Sequence, residues 1–147
     1  MALTKATQLT SFGTFRTIKV PAGVADTYFQ GAVLSFLDAT AAGVTPVPAS
    51  GLRFAGICME TYTDAAVGDI LEIAIDGLWK VPVAVANAWD AQGELIHVDI
   101  SAASDDPGDL VITTATGDYG FGRCEKWIDA SNLLANIGVR SAHAVAS

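Results

Sequence analysis

Short runs of apolar or alternating residues, about five to eight long, follow one another from residue 31 to residue 140, each closed by a cluster of Gly, Pro, Asp or Ser. A helix that stands alone needs an apolar stripe of period 3.6 over about 12 residues. These runs are shorter and too often punctuated, so the chain reads as all-β. Candidate strands lie at 31–37, 43–47, 53–60, 69–75, 78–83, 95–98, 110–114, 120–127 and 136–140. The expected fold is a compact β-barrel or β-sandwich. Asp76-Gly77 separates two of the runs and signals a hairpin, because a type I′ turn needs positive φ at both central residues. Strands 69–75 and 78–83 are therefore expected to pair antiparallel, with Pro82 ending the second near a sheet edge. Residues 83–92 and 129–135 read as loops with room for one turn of helix.

The chain also repeats itself. Gly31-Ala-Val-Leu-Ser-Phe-Leu-Asp38 resembles Gly93-Glu-Leu-Ile-His-Val-Asp99, a glycine, an alternating strand and an acid. Gly56-Ile-Cys58 then matches Gly122-Arg-Cys124, and Asp64-Ala65 matches Asp129-Ala130. Two four-strand units, each unable to bury its own apolar face, would together enclose one core. Chance likeness among β-rich segments is the competing explanation.

Residues 1–30 stand outside that repeat. The stretch 10–20 alternates weakly and is broken by Pro21 and Gly23, the pattern of an extended arm without a strand partner in its own chain. Such an arm adds to a sheet edge elsewhere. The division expected is an arm over 1–30, a β body over 31–141 and a tail over 142–147. Charge follows the same boundary. The net charge is −8, yet residues 1–25 hold Lys5, Arg16 and Lys19 and no acid, against five bases and sixteen acids thereafter. A basic leader on an acidic body suits docking onto an acidic protein surface; a frayed terminus with chance charges is the plainer explanation. The overall acidity argues against nucleic-acid binding, which needs Lys and Arg against phosphate. Apolar residues make up 51% of the chain, enough to exclude a disordered class. No run approaches the ~18 apolar residues of a membrane span. Residues 1–10 lack the apolar core of a signal peptide, so cytoplasmic synthesis is expected.

Chemistry-bearing residues form no motif. Cys58 and Cys124 give neither a disulfide framework nor zinc spacing, and read as small buried hydrophobes. His97 lies between Ile96 and Val98 in a strand, and His143 lies in the tail; neither has a nucleophile or carboxylate at motif spacing. The glycines of 117–122 lack the lysine and helix of a phosphate loop. The acidic stretch 99–109 lacks the spacing of a calcium loop and reads as turn chemistry, with a weak ion site as the alternative. No catalytic residue, cofactor or metal is expected. Trp79, Trp89 and Trp127 could form a sugar-stacking platform if two or more Trp or Tyr rings lined one exposed face beside polar side chains. A hydrolase would need His97 beside a carboxylate or Cys124.

The order of motifs from 51 to 140 resembles the head-decoration (cement) proteins of tailed bacteriophages. The stretch that carries this runs Phe54-Ala-Gly-Ile-Cys58, Asp64-Ala-Ala-Val-Gly-Asp69, the strand to Ile75, Asp76-Gly77, and Leu78-Trp-Lys-Val-Pro82. Trp89-Asp-Ala-Gln-Gly-Glu-Leu-Ile-His-Val-Asp99, Ala115-Thr-Gly-Asp118 and Gly120-Phe-Gly122 continue it, over about two-thirds of the chain. The long N-terminal segment and His97, where the family is associated with an aromatic, depart from the pattern. The resemblance implies a structural protein, often a homotrimer, on the outer capsid surface of the virion, bridging major capsid subunits. A carbohydrate-binding β-sandwich of a phage fibre or surface protein is the alternative. Phe12, Phe15, Arg16, Ile18, Lys19, Tyr28 and Phe29 are the expected capsid or subunit interface. On that expectation, deleting residues 1–19 leaves a folded body that no longer binds capsids.

Overall fold

A computed structural model describes residues 6–37, 43–101 and 110–138. Its strands are β1 (Thr10–Phe12), β2 (Thr17–Pro21), β3 (Asp26–Tyr28), β4 (Val33–Phe36), β5 (Val44–Thr45), β6 (Arg53–Cys58), β7 (Tyr62–Ala65), β8 (Ile70–Ala74), β9 (Gly77–Val81), β10 (Leu95–Val98), β11 (Leu110–Val111), β12 (Tyr119–Asp129) and β13 (Asn132–Ile137). One helical turn, α1 (Ala88–Ala91), follows β9 and is capped by the Asn87 side chain, which accepts from Asp90 N–H. The six-stranded sheet has the order β1-β9-β13-β12-β10-β11, the five-stranded sheet β2-β8-β6-β4-β5, and a small third sheet pairs β3 with β7. The chain is all-β and sandwich-like rather than a closed barrel.

The duplication is visible bond by bond. In the first unit Val33, Leu34, Ser35 and Phe36 face Ile57, Gly56, Phe54 and Arg53, with a register shift after Leu34. In the second, Leu95, Ile96, His97 and Val98 face Arg123, Gly122, Gly120 and Tyr119, with the shift after Ile96. Gly31 N–H donates to Cys58 O at 2.9 Å, and Gly93 N–H to Cys124 O at 3.0 Å. Cys58 and Cys124 answer by donating to Ala32 O and Glu94 O at 2.9 and 2.8 Å. Both glycines sit at positive φ, 88° and 83°, which favours a residue without Cβ. The equivalent ladders lie in different sheets, the first in the five-stranded sheet and the second in the six-stranded one.

The unit begins earlier than Gly31. β2 lies beside β8 as β9 lies beside β13, with Thr17, Ile18, Lys19 and Val20 in the places of Leu78, Trp79, Lys80 and Val81. Lys19-Val20-Pro21 and Lys80-Val81-Pro82 are the matching sequences. Residues 10–28 are extended, as expected, but they do not lack partners in their own chain. β1 pairs with β9, β2 with β8 and β3 with β7. The cause is burial: Val20 sits against Leu71, and Tyr28 is fully enclosed.

Two further expectations are corrected. Asp76-Gly77 makes no hairpin, because β8 and β9 lie in different sheets. Gly77 has φ 104°, but Asp76 is not in the positive-φ region, so a type I′ turn does not form and the chain crosses between sheets. Residues 129–135 are not a helical loop. Leu133, Ala135 and Ile137 point into the core at period two, so the strand expected at 136–140 lies at Asn132–Ile137, and residues 139–140 fall outside the described part.

One core lies inside the first unit, around Leu34, Val44, Leu71 and Ile73. The other joins the inner face of the second unit, including Trp79, Phe121 and Leu133, to Phe54, Ile57 and Ala74 of the first. Phe54 meets Phe121 edge-on at 4.9 Å. Ser35 Oγ and Tyr119 Oη bond across the same contact.

Candidate functional site

The residues expected to dock divide into two groups. Tyr28 is enclosed, its hydroxyl reaching Val24 O at 2.8 Å and Val44 O at 3.0 Å, and its burial raises its pKa. It cannot meet a partner in this fold. Phe29 packs on the first core, and Phe15 stacks on Trp79 at 4.8 Å. Arg16 holds Asp76, with its N–H on Oδ1 and its Nε on Oδ2, each at 2.6 Å. Desolvation pushes the Asp76 carboxyl up, but these bonds and the Arg16 charge together hold it below its ordinary range. Phe12, Ile18 and Lys19 remain exposed, on β1 and β2. Val67 and Ile70, in the turn before β8 and at its start, add exposed apolar surface that no sequence period singled out.

The candidate chemical groups are committed to structure. Burial pushes the Cys58 thiol up to about 12, and its Sγ lies 3.1 Å from Glu60 O. Cys124 is raised for the same reason. His97 faces Gly120 and Val111, and its Nδ1 is buried without a hydrogen-bond partner. Cys124 and Glu94 meet one another about three residues along the ladder, ~10 Å from His97. His97 is therefore not paired with Cys124 or Glu94. Among the described residues no cluster of His, Cys, Asp and Glu could hold a metal ion. Most of the acidic stretch 99–109, and His143, lie outside the described residues.

The tryptophans do not share a face. Trp79 is 4% exposed and donates Nε1–H to Asp76 O. Trp127 is half-buried, with its Nε1–H on Val85 O, whereas Trp89 on α1 is 92% exposed. Among the described residues no second tryptophan joins Trp89 on open surface.

One cleft of about 810 Å³ lies between the segment after β9 and β11, lined by Pro82, Ala84, Val85, Leu110 and Ile112 together with Asp90 and Glu94. The first unit is closed at the equivalent place. In the first unit Gly23 N–H reaches Val44 O at 2.8 Å and brings the end of β2 onto β5. A Cβ at Gly23 would collide with Leu37 and come within 3.2 Å of Val44 N. Ala84, the equivalent residue, carries that Cβ, and the second unit stands open there. The cleft offers apolar walls, the carboxylates of Asp90 and Glu94, and the hydroxyls of Thr113 and Ser131. The chain matches no protein-family model and no curated protein.

Proposed function

We propose that this protein is a structural component of a tailed phage, seated on the outer capsid surface and bridging major capsid subunits. The observation that carries the reading is the placement of exposed apolar side chains. Phe12 stands on the edge strand β1, and Val67 and Ile70 lie in the turn before β8 and at its start, while both thiols are buried in the fold. An apolar β-sandwich supplies stiffness, and edge strands supply main-chain and apolar contacts to a neighbour. Many copies binding modestly would hold a shell through avidity. The motif order from 51 to 140 supports the same function. It falls on the frame of the fold: Gly56 lies against Ala74 in the β6–β8 ladder, and Gly122 lies against Ile137 in the β12–β13 ladder.

Purified chain added to capsids that lack it tests this. The expected result is saturable occupancy that raises the temperature at which the capsids release DNA, weakened at least tenfold by Ile70→Asp, a loss of about 1.4 kcal/mol. Absence of binding to such capsids would overturn the proposal. The sugar-binding alternative gains nothing from the placement of the tryptophans, since only Trp89 of the three is open to solvent.

A further inference from the structure

The two units differ at one edge. In the second, β1 covers β9, with Thr10, Ser11 and Phe12 opposite Lys80, Trp79 and Leu78. In the first, β2 is the last strand of its sheet, and among the described residues no strand covers the equivalent residues Lys19, Ile18 and Thr17. The consequence shows in burial: Trp79 is 4% exposed, and its counterpart Ile18 is 38% exposed.

The main-chain groups on that edge are open. Ile75 N–H donates to Arg16 O, and Ala22 N–H to Asp69 O, so the even-numbered residues of β2 bond to β8. Thr17 and Lys19 alternate with them and turn both their N–H and C=O groups away from β8. Beyond Pro21 the edge closes, because Ala22 bridges to Val44. The vacancy is therefore the three residues 17–19, the same three positions that β1 covers in the second unit. Lysine is a common device for blunting an edge, yet Lys80 occupies the equivalent place in β9, which is paired on both sides.

We infer that β2 docks on β2 of a second copy of this chain, antiparallel about a twofold axis through Ile18. The segment is complementary to itself in that register. Thr17 and Lys19 of each copy face Lys19 and Thr17 of the other and exchange main-chain hydrogen bonds. The two Ile18 side chains meet as a non-hydrogen-bonded pair, about 4.5 Å apart at Cα, and each covers the other as β1 and Phe15 cover Trp79. The two lysines stand diagonally, each beside its own Glu72, so no like charges are opposed. The pairing joins two five-stranded sheets into one. It goes beyond the capsid reading and stands without it, and its symmetry differs from the trimer that the family resemblance implies.

The test uses the full chain. Sedimentation from about 5 to about 500 µM, where small interfaces associate, is expected to give twice the 15.2 kDa chain mass. Lys19→Pro removes an outward N–H without touching the bonds to β8, so it is expected to stay folded by circular dichroism and to sediment as a monomer. Ile18→Cys places two thiols within disulfide reach across the axis and is expected to cross-link under oxidised glutathione, while exposed Val67→Cys does not. A wild-type monomer or trimer at every concentration would overturn the inference. So would equal cross-linking of the Ile18→Cys and Val67→Cys proteins.

Discussion

Asp76 ties the start of β2 to the crossing between the sheets, because one carboxylate takes both the backbone N–H and the Nε–H of Arg16. Its pKa is lowered in the folded chain, so the folded state binds this proton less readily than the unfolded one. The contact therefore stabilises fully above the ordinary carboxylate pKa near 4 and is lost as pH falls through the lowered value. Urea melts from pH 7 downward are expected to show an acid-side loss that Asp76→Asn lacks. The loss is small, since the Arg16 side chain is 77% exposed and screened by solvent. The thiols give a second expectation at this scale. Cys58, pushed up to about 12, supplies almost no thiolate at pH 8, and Cys124 is likewise buried with its pKa raised. A thiol-titrating reagent should find neither in the native protein and both in denaturant; rapid native labelling of either would contradict the burial described.

Individual elements were unevenly legible in the sequence. Period two and turn residues located β4 to β6 and β8 to β12, but missed β7 and set β13 too late in the chain. The paired Gly-x-Cys segments located the repeat, because a glycine there is demanded by the ladder. A Cβ on Gly56 would lie 2.5 Å from Ala74 O, and one on Gly122 would collide with Asn136 O. Gly56→Ala and Gly122→Ala are each expected to cost about 1–3 kcal/mol by overpacking, read as a lower urea midpoint; unchanged midpoints would contradict the close approach. The Asp-Gly pair misled because local turn chemistry does not say whether the next strand returns to the same sheet. Residues 10–28 misled because their partners, β7, β8 and β9, are distant in sequence. The signal that could have found them was Lys19-Val20-Pro21 against Lys80-Val81-Pro82. With β1 covering Trp79, a chain lacking residues 1–13 is expected to melt lower and to show red-shifted tryptophan emission, rather than to remain the intact body that a free arm would leave. Unchanged emission and melting would restore the free arm.

At the scale of the molecule, two copies of one β unit form a sandwich whose symmetry is broken in two places. The second unit has a cleft lined by Ala84, which stands in the position of Gly23, and among the described strands β1 covers the edge of the second unit alone. Both departures leave surface that the fold itself does not use. The candidate site was legible only in part, since Phe12, Ile18 and Lys19 stay exposed while Tyr28 and Phe29 are absorbed by the first core. Aromatic residues in an alternating strand look the same in sequence whether they face a core or a partner. The capsid proposal is tested most directly by electron microscopy of virions that carry this chain, with density assigned to it. The β-sandwich is expected on the outer shell, touching two or more major capsid subunits through β1 or the turn before β8. Density confined to a fibre, or virions without the chain, would contradict it.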